Sequence, residues 1–286
     1  MEARTILVGY DGSRQADRAI SIAAALLPGM NARVATVWHA PWPSRDLLNE
    51  ILNEQEHVAV DDLAERLRQI GEAEARSTAD RGAERARGAG WQAESTTCES
   101  RQGVWFDLAA LAGEASAAAV VLGADGGVGP LGRVVDAVVR LTDRPVLVVR
   151  EDAPDAAPEA PLVIGYDGSR QARHAIAVAA GLFPGRPALV VHAGHLDIAD
   201  EGAQLALAEG LRGEAVKVSQ ALQDVVRPEG AAWHRLSAVA DEQDAAAIVV
   251  GSRGTSALRR FALGSVTSGL LHHARRPVLV VPDPTT

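Results

Sequence analysis

The feature that most constrains this chain is a long-range repeat. Residues 5–16, TILVGYDGSRQA, return as residues 161–172, PLVIGYDGSRQA, so the fold must accommodate two related units in series. Each copy opens with an apolar run, passes through Asp-Gly-Ser and enters an alanine-rich amphipathic segment, 14–27 in the first and 170–183 in the second. Ser13 and Ser169 suit helix N-caps, and Pro28-Gly29 and Pro184-Gly185 stop those helices. A second apolar run follows at 33–39 and at 188–192. Strands alternating with helices predict βαβ units and a parallel sheet covered on both faces.

Beyond the second strand the copies differ in length. The first carries Pro41-Trp42-Pro43, a charged helical region over roughly 47–87 and a strand-like stretch at 91–98. The second has one helical region, roughly 202–226, followed only by 228–232. They realign from Trp105 and Trp233 and reach strands at 119–122 and 248–250. The second copy is therefore expected to lack most or all of its third strand. Residues 151–160, EDAPDAAPEA, are acidic, proline-containing and without apolar periodicity, which reads as a linker between domains at 1–150 and 161–286.

The most informative stretch is 248–281. An apolar strand run passes into the glycine loop Gly251-Ser252-Arg253-Gly254, and nine residues later Gly264-Ser265 opens a helical segment ending near Arg275-Arg276. Pro277 then leads into the apolar run Val278–Val281. Glycines at a strand exit let backbone N–H groups turn toward an anion. Ser265 suits an N-cap, and a helix N-terminus favours phosphate, so two amide-rich corners are placed to hold a polyphosphate. The plainer alternative is that the glycines only make turns, as Asp-Gly-Ser does.

The spacing G-x2-G-x9-G-S between two apolar strands resembles the ATP-binding motif of the universal stress protein family. Asp-Gly-Ser after strand one and Pro-Val-Leu-Val-Val at strand five extend that resemblance over nearly the whole chain. It implies two tandem doubly wound α/β domains, Rossmann-like and similar to adenine nucleotide alpha hydrolases, with strand order 3-2-1-4-5. Strand three is an edge in that order, so the second domain could lose it without splitting its sheet. The resemblance also implies pairing through strand five, giving a pseudo-dimer within one chain or a homodimer. The expected ligand is ATP, with Mg. Tyr166 and Asp167 would lie near adenine and ribose, and Ala193 would border the adenine. Gly251, Arg253 and Gly254 would line ribose and phosphates, and Gly264, Ser265 and Val266 the terminal phosphates.

The first copy departs from this motif. Asp125 stands where the second copy has Arg253, Arg133 replaces Ser265, and the intervening loop is four residues shorter. An acid repels phosphate, so one nucleotide per chain is expected. Gly127-x-Gly129-x-x-Gly132 also has the local pattern of a dinucleotide fingerprint, but it follows three βα units instead of opening the domain.

Charge and chemistry narrow the function further. Lys and Arg total 28 against 37 acids, a net charge of −9, which argues against general nucleic-acid binding and against an anionic membrane surface. The single cysteine, Cys98, suits a reducing compartment, and the chain shows neither a spanning apolar run nor a basic-then-apolar leader. A cytoplasmic protein is expected. His39, His192, His272 and His273 form no convincing metal set. No GxxxxGK[ST] loop supplies a phosphate lysine, so ATP should turn over slowly or not at all. The reading is an ATP-binding stress-response sensor or regulator. The alternatives are a nucleotide-hydrolysing or nucleotidyl-transferring enzyme of the same architecture, and a nucleotide-free interaction scaffold.

Overall fold

The computed structural model describes residues 4–41, 60–126, 132–192, 218–222, 232–253 and 263–283. The first half runs β1 (Thr5–Gly9), α1 (Arg14–Leu26), β2 (Asn31–Trp38), α2 (Val60–Gly88), β3 (Gln92–Glu99), α3 (Val104–Glu114), β4 (Val120–Ala124), α4 (Arg133–Leu141) and β5 (Val146–Arg150). The second runs β6 (Leu162–Tyr166), α5 (Arg170–Leu182), β7 (Ala188–His192), β8 (Val218–Leu222), α6 (Ala232–Glu242), β9 (Ala247–Gly251), α7 (Ser265–His273) and β10 (Val278–Val281). Ser13 and Ser169 cap α1 and α5, their side chains accepting from Ala16 N at 3.2 Å and Ala172 N at 3.0 Å. The expected helix stops also hold, since α1 and α5 end immediately before the Pro-Gly turns.

The described strands join one ten-stranded sheet in the order β3-β2-β1-β4-β5-β10-β9-β6-β7-β8. Pairing is parallel within each half. At the centre β5 meets β10 antiparallel, with Val148 opposite Val278 and Val146 opposite Val280. The order within each half is the doubly wound 3-2-1-4-5 arrangement.

One expectation is corrected. The second half keeps its edge strand: β8 pairs parallel with β7, with a register irregularity after Ala188. Its residues fall within the region expected to be helical, not in the 228–232 stretch. It is shorter than β3, with five residues against eight. An edge strand has one ladder and one open side, so it imposes little apolar pattern on its sequence, and VSQAL carries no clear strand signal.

The central strands β4, β5, β9 and β10 are largely aliphatic and buried, as aromatics at only 3% require, whereas edge strand β3 is polar and partly exposed. On one face α1 and α5 pack through Ile20, Ala23, Ile176 and Ala179. On the other, Leu108, Val138, Leu236 and Leu270 anchor α3, α4, α6 and α7. Each buried isoleucine or leucine contributes about 1.5–3 kcal/mol. Both cores cross the seam, which makes the halves one packed body.

The segment between the halves is docked on the protein. Ala153 and Ala160 are buried, and Arg18 donates to the Ala153 carbonyl while pairing with Asp155 at 2.9 Å. Arg186 Nη1 donates to the Ala160 carbonyl at 3.0 Å. Arg150, 6% exposed at the end of β5, donates from Nη1 to the Leu271 carbonyl of α7 at 3.0 Å. A cation there satisfies an orphan carbonyl at a helix C-terminus and complements its dipole.

Candidate functional site

In each half two neighbouring strands send their connections in opposite directions, β1 and β4 in the first, β6 and β9 in the second. Such switch points open a crevice at the strand C-termini, the usual place for ligands in doubly wound sheets.

In the second half, Asp167 follows β6 and is solvent-exposed. Its Oδ1 accepts from Ser169 N at 3.0 Å, and Gly168 between them has φ +79°, a conformation side-chain-bearing residues rarely adopt. The turn therefore holds the carboxylate at the rim, so the turn role and a ligand role are compatible. Tyr166 is half-buried against the α1/α5-side core. Gly251 ends β9, and a Cβ there would stand 3.2 Å from Gln171 Cβ on α5.

The two glycine corners are tied together. Gly264 N donates to the Ser252 carbonyl at 2.9 Å, and Thr267 Oγ1 donates to the Gly251 carbonyl at 2.7 Å. Ser252 N in turn donates to the Val281 carbonyl at 2.7 Å. This brings Gly251 and Arg253 beside Gly264, Ser265 and Val266. Arg253 is half-buried.

The cap differs from expectation. Gly264, not Ser265, is the N-cap of α7, with φ −61° and ψ 152° and no side-chain cap. Ser265 is the first helical residue, and its side chain is exposed. Val266 packs its side chain against the core, which leaves its backbone as the polar group at the crevice. The start of α7 thus presents N–H groups without a side-chain acceptor from the N-cap, backed by the helix dipole. Ala193 and Gly254 lie outside the described residues, as do residues 127–131 of the fingerprint-like run.

The sequence reading missed three contributors. Ser252 and Thr267 supply the ties just described. Gln171 Nε2 donates to Asp283 Oδ2 at 3.0 Å, and Arg170 pairs with Asp283 at 3.7 Å, fixing the segment after β10 onto the start of α5. The recurrence of Arg-Gln in both copies was the available signal for this contact.

The first half has a crevice of its own. A cavity of about 360 Å³ lies between the ends of β1 and β4, with Gly9, Tyr10, Asp11, Gly123, Asp125 and Arg133 among its lining. Tyr10 is clamped: its hydroxyl donates to Asp17 Oδ1 at 2.7 Å, and Arg85 of α2 holds the same carboxylate. Burial and then the Asp17 bond push the Tyr10 phenol above its usual range. Gly82 lets α2 approach, since a Cβ there would meet the Tyr10 ring at 2.6 Å. Asp17 has Arg173 as its counterpart in the second copy, so this clamp belongs to the first half alone.

Among the described residues no His, Cys, Asp and Glu group could hold a metal ion, and no helix is long and apolar enough to cross a membrane. His273, in the last turn of α7 where histidine suits the helix dipole, also stacks on Trp233 with ring centroids 4.5 Å apart.

Fold and crevices define the class: a tandem Rossmann-like α/β protein whose two units share one sheet. The model of the universal stress protein family matches residues 2–150 and again 160–282, and the chain belongs to that family. Universal stress proteins of Mycobacterium tuberculosis and Mycobacterium bovis are 34% identical over 183 residues, covering 56% of this chain. That alignment spans 60% of the relatives' own length. Among solved structures, a universal stress protein from Archaeoglobus fulgidus superposes with a TM-score of 0.73 at 17% identity, covering 99% of both chains. A protein of unknown function from Pseudomonas aeruginosa superposes at 0.57 with 16% identity, covering 99% of this chain and 94% of the other. At these identities the superpositions speak to fold alone.

Proposed function

We propose that the second half binds ATP, accompanied by Mg, and that the chain is a cytosolic stress-response regulator with slow or no ATP turnover. The observation that carries this reading is the Gly264 N to Ser252 carbonyl bond of 2.9 Å. It sets the glycine loop after β9 against a helix start without a side-chain cap, and such a start favours an anion. Phosphate oxygens would take the N–H groups of Ser265 and Val266 with Gly264 alongside, and Arg253 would add charge. Asp167 at the rim would accept ribose hydroxyls, beside Tyr166, while Ala193 and Gly254 would complete the adenine and phosphate contacts. The bound nucleotide supplies a polyphosphate whose charge this half can compensate; the chain's own part is to hold and orient it.

The test is the nucleotide released on denaturing the purified protein, together with ATP calorimetry on wild type and Gly264→Asp. The backbone angles of Gly264 suit any residue. Asp is a good N-cap, so the variant should fold with stability unchanged or raised by a few tenths of a kcal/mol. Its carboxylate would then occupy the anion position itself. ATP at about one per chain in wild type and none in the variant supports the reading. Equal ATP uptake by both proteins refutes it.

A further inference from the structure

The crevice of the first half is built for different chemistry. Its cavity of about 360 Å³ sits near the lower end of the range of about 300–1,000 Å³ for small-molecule sites. The walls are apolar, formed by Ala35, Val37, Val104, Leu108 and Leu122. Asp11 and Asp125 line it as well, both solvent-exposed, and so does the exposed Arg133.

Asp125 is held in place. Its Oδ1 accepts from Gln15 Nε2 at 2.9 Å. Gln15 in turn is seated firmly, because Gly123 lies so close that a Cβ there would stand 2.4 Å from the Gln15 carbonyl carbon. The equivalent Gln171 makes the same kind of bond to Asp283, from the segment after β10, not to the glycine loop. One repeated glutamine thus fixes a carboxylate in each half. Only in the first half does that carboxylate occupy the position held by Arg253 in the second.

Among the residues that line the cavity, two carboxylates stand against one solvated guanidinium, an excess of negative charge. That repels a phosphate and favours hydroxyl or amino donors. The Tyr10 hydroxyl is committed to Asp17 at 2.7 Å, so this residue offers the cavity mainly its ring.

We propose that the first half binds a phosphate-free, nucleoside-like molecule, with its ring against the apolar walls and its hydroxyl or amino hydrogens donated to Asp11 and Asp125. The chain would then carry two sites of opposite preference, one for a nucleotide and one for a small neutral ligand.

The experiment is calorimetry on the full chain carrying Gly264→Asp, with adenosine, AMP and ATP as probes. Adenosine should bind once per chain and about tenfold or more tighter than AMP, as two nearby carboxylates facing a phosphate in high dielectric require. Asp125→Asn, on an exposed side chain, should narrow that ratio, and Val104→Trp, which fills the cavity, should abolish adenosine binding. AMP or ATP binding this half as tightly as adenosine would overturn the proposal, as would an unchanged ratio in Asp125→Asn. So would adenosine binding that survives Val104→Trp, or no adenosine binding at about 1 mM. The ATP reading fails separately, on ATP uptake by wild type compared with Gly264→Asp.

Discussion

Gly123 and Gly251 occupy the same place in the two copies, at the strand exit beside the crevice, yet they should respond very differently to alanine. A Cβ on Gly123 would lie 2.4 Å from the Gln15 carbonyl carbon and oxygen and 2.6 Å from Ala16 N. Ordinary carbon contacts need about 3.5–4.0 Å. The first turn of α1 would have to move by roughly 1 Å, and these are backbone atoms with no rotamer to change. That displacement would also disturb the Ser13 cap and the Gln15–Asp125 bond. Overpacking of this kind costs about 1–3 kcal/mol and more when backbone must shift, so Gly123→Ala should lose about 3 kcal/mol or more. On Gly251 the nearest atoms are the Arg253 carbonyl oxygen and Gln171 Cβ, both at 3.2 Å. A few tenths of an ångström relieve that contact, and the lower entropy of the unfolded chain with alanine offsets about 0.4–1 kcal/mol. Gly251→Ala should therefore stay within about 1 kcal/mol of wild type. Urea unfolding of the three proteins, followed by circular dichroism, measures the difference. Equal midpoints for the two variants, or a Gly123→Ala midpoint matching wild type, would refute the claim that the α1–β4 approach is the tighter one.

Two further perturbations test the packing around the sites. Arg150→Met leaves the Leu271 carbonyl without its buried donor, at about 1–3 kcal/mol, partly offset because methionine carries no desolvation cost. An unfolding free energy lower by about 2 kcal/mol in urea titration is expected, and an unchanged one would show that the seam does not depend on this bond. Tyr10 has its folded pKa raised above the ordinary 10.0 by burial and by the Asp17 bond. The unfolded chain therefore releases this proton first, so the contribution of Tyr10 is fully present below about pH 10 and is lost as pH rises through the folded value. Stability measured across about pH 9–11 should fall more steeply in wild type than in Tyr10→Phe; parallel profiles would contradict that sign.

What was legible in the sequence follows from how local each determinant is. The strand runs of the sheet interior carry their own signal, since a strand stretch buried on both faces must be aliphatic throughout, as residues 162–164 and Val278–Val281 are. The caps of α1 and α5 were readable because Ser13 and Ser169 bond an amide three residues on. Pairing through strand five followed from family resemblance, and the β5–β10 ladder is present. β8 escaped because its half-open position imposes little pattern. The cap of α7 was placed one residue late, since Gly-Ser offers two plausible caps and only backbone geometry chooses between them. The Gln171–Asp283, Gln15–Asp125 and Arg150–Leu271 bonds span 112, 110 and 121 residues. Nothing within a local window announces such partners. The same holds for the first-half cavity, whose walls come from β1, β2, α3 and β4 together.

The antiparallel seam has a consequence for how these sites can evolve. Parallel strands within each half and an antiparallel join between halves place the two crevices on opposite rims of one sheet. In a homodimer joined across such a two-fold seam, every substitution appears at both sites at once. Covalent fusion removes that constraint: one gene position changes one rim, while the seam strands keep the matching sequences that hold them together. It also makes the pairing of the halves independent of protein concentration, because neither half can diffuse away. A tandem chain can therefore specialise its two rims separately, and any signal between them must cross the four central strands β4, β5, β10 and β9.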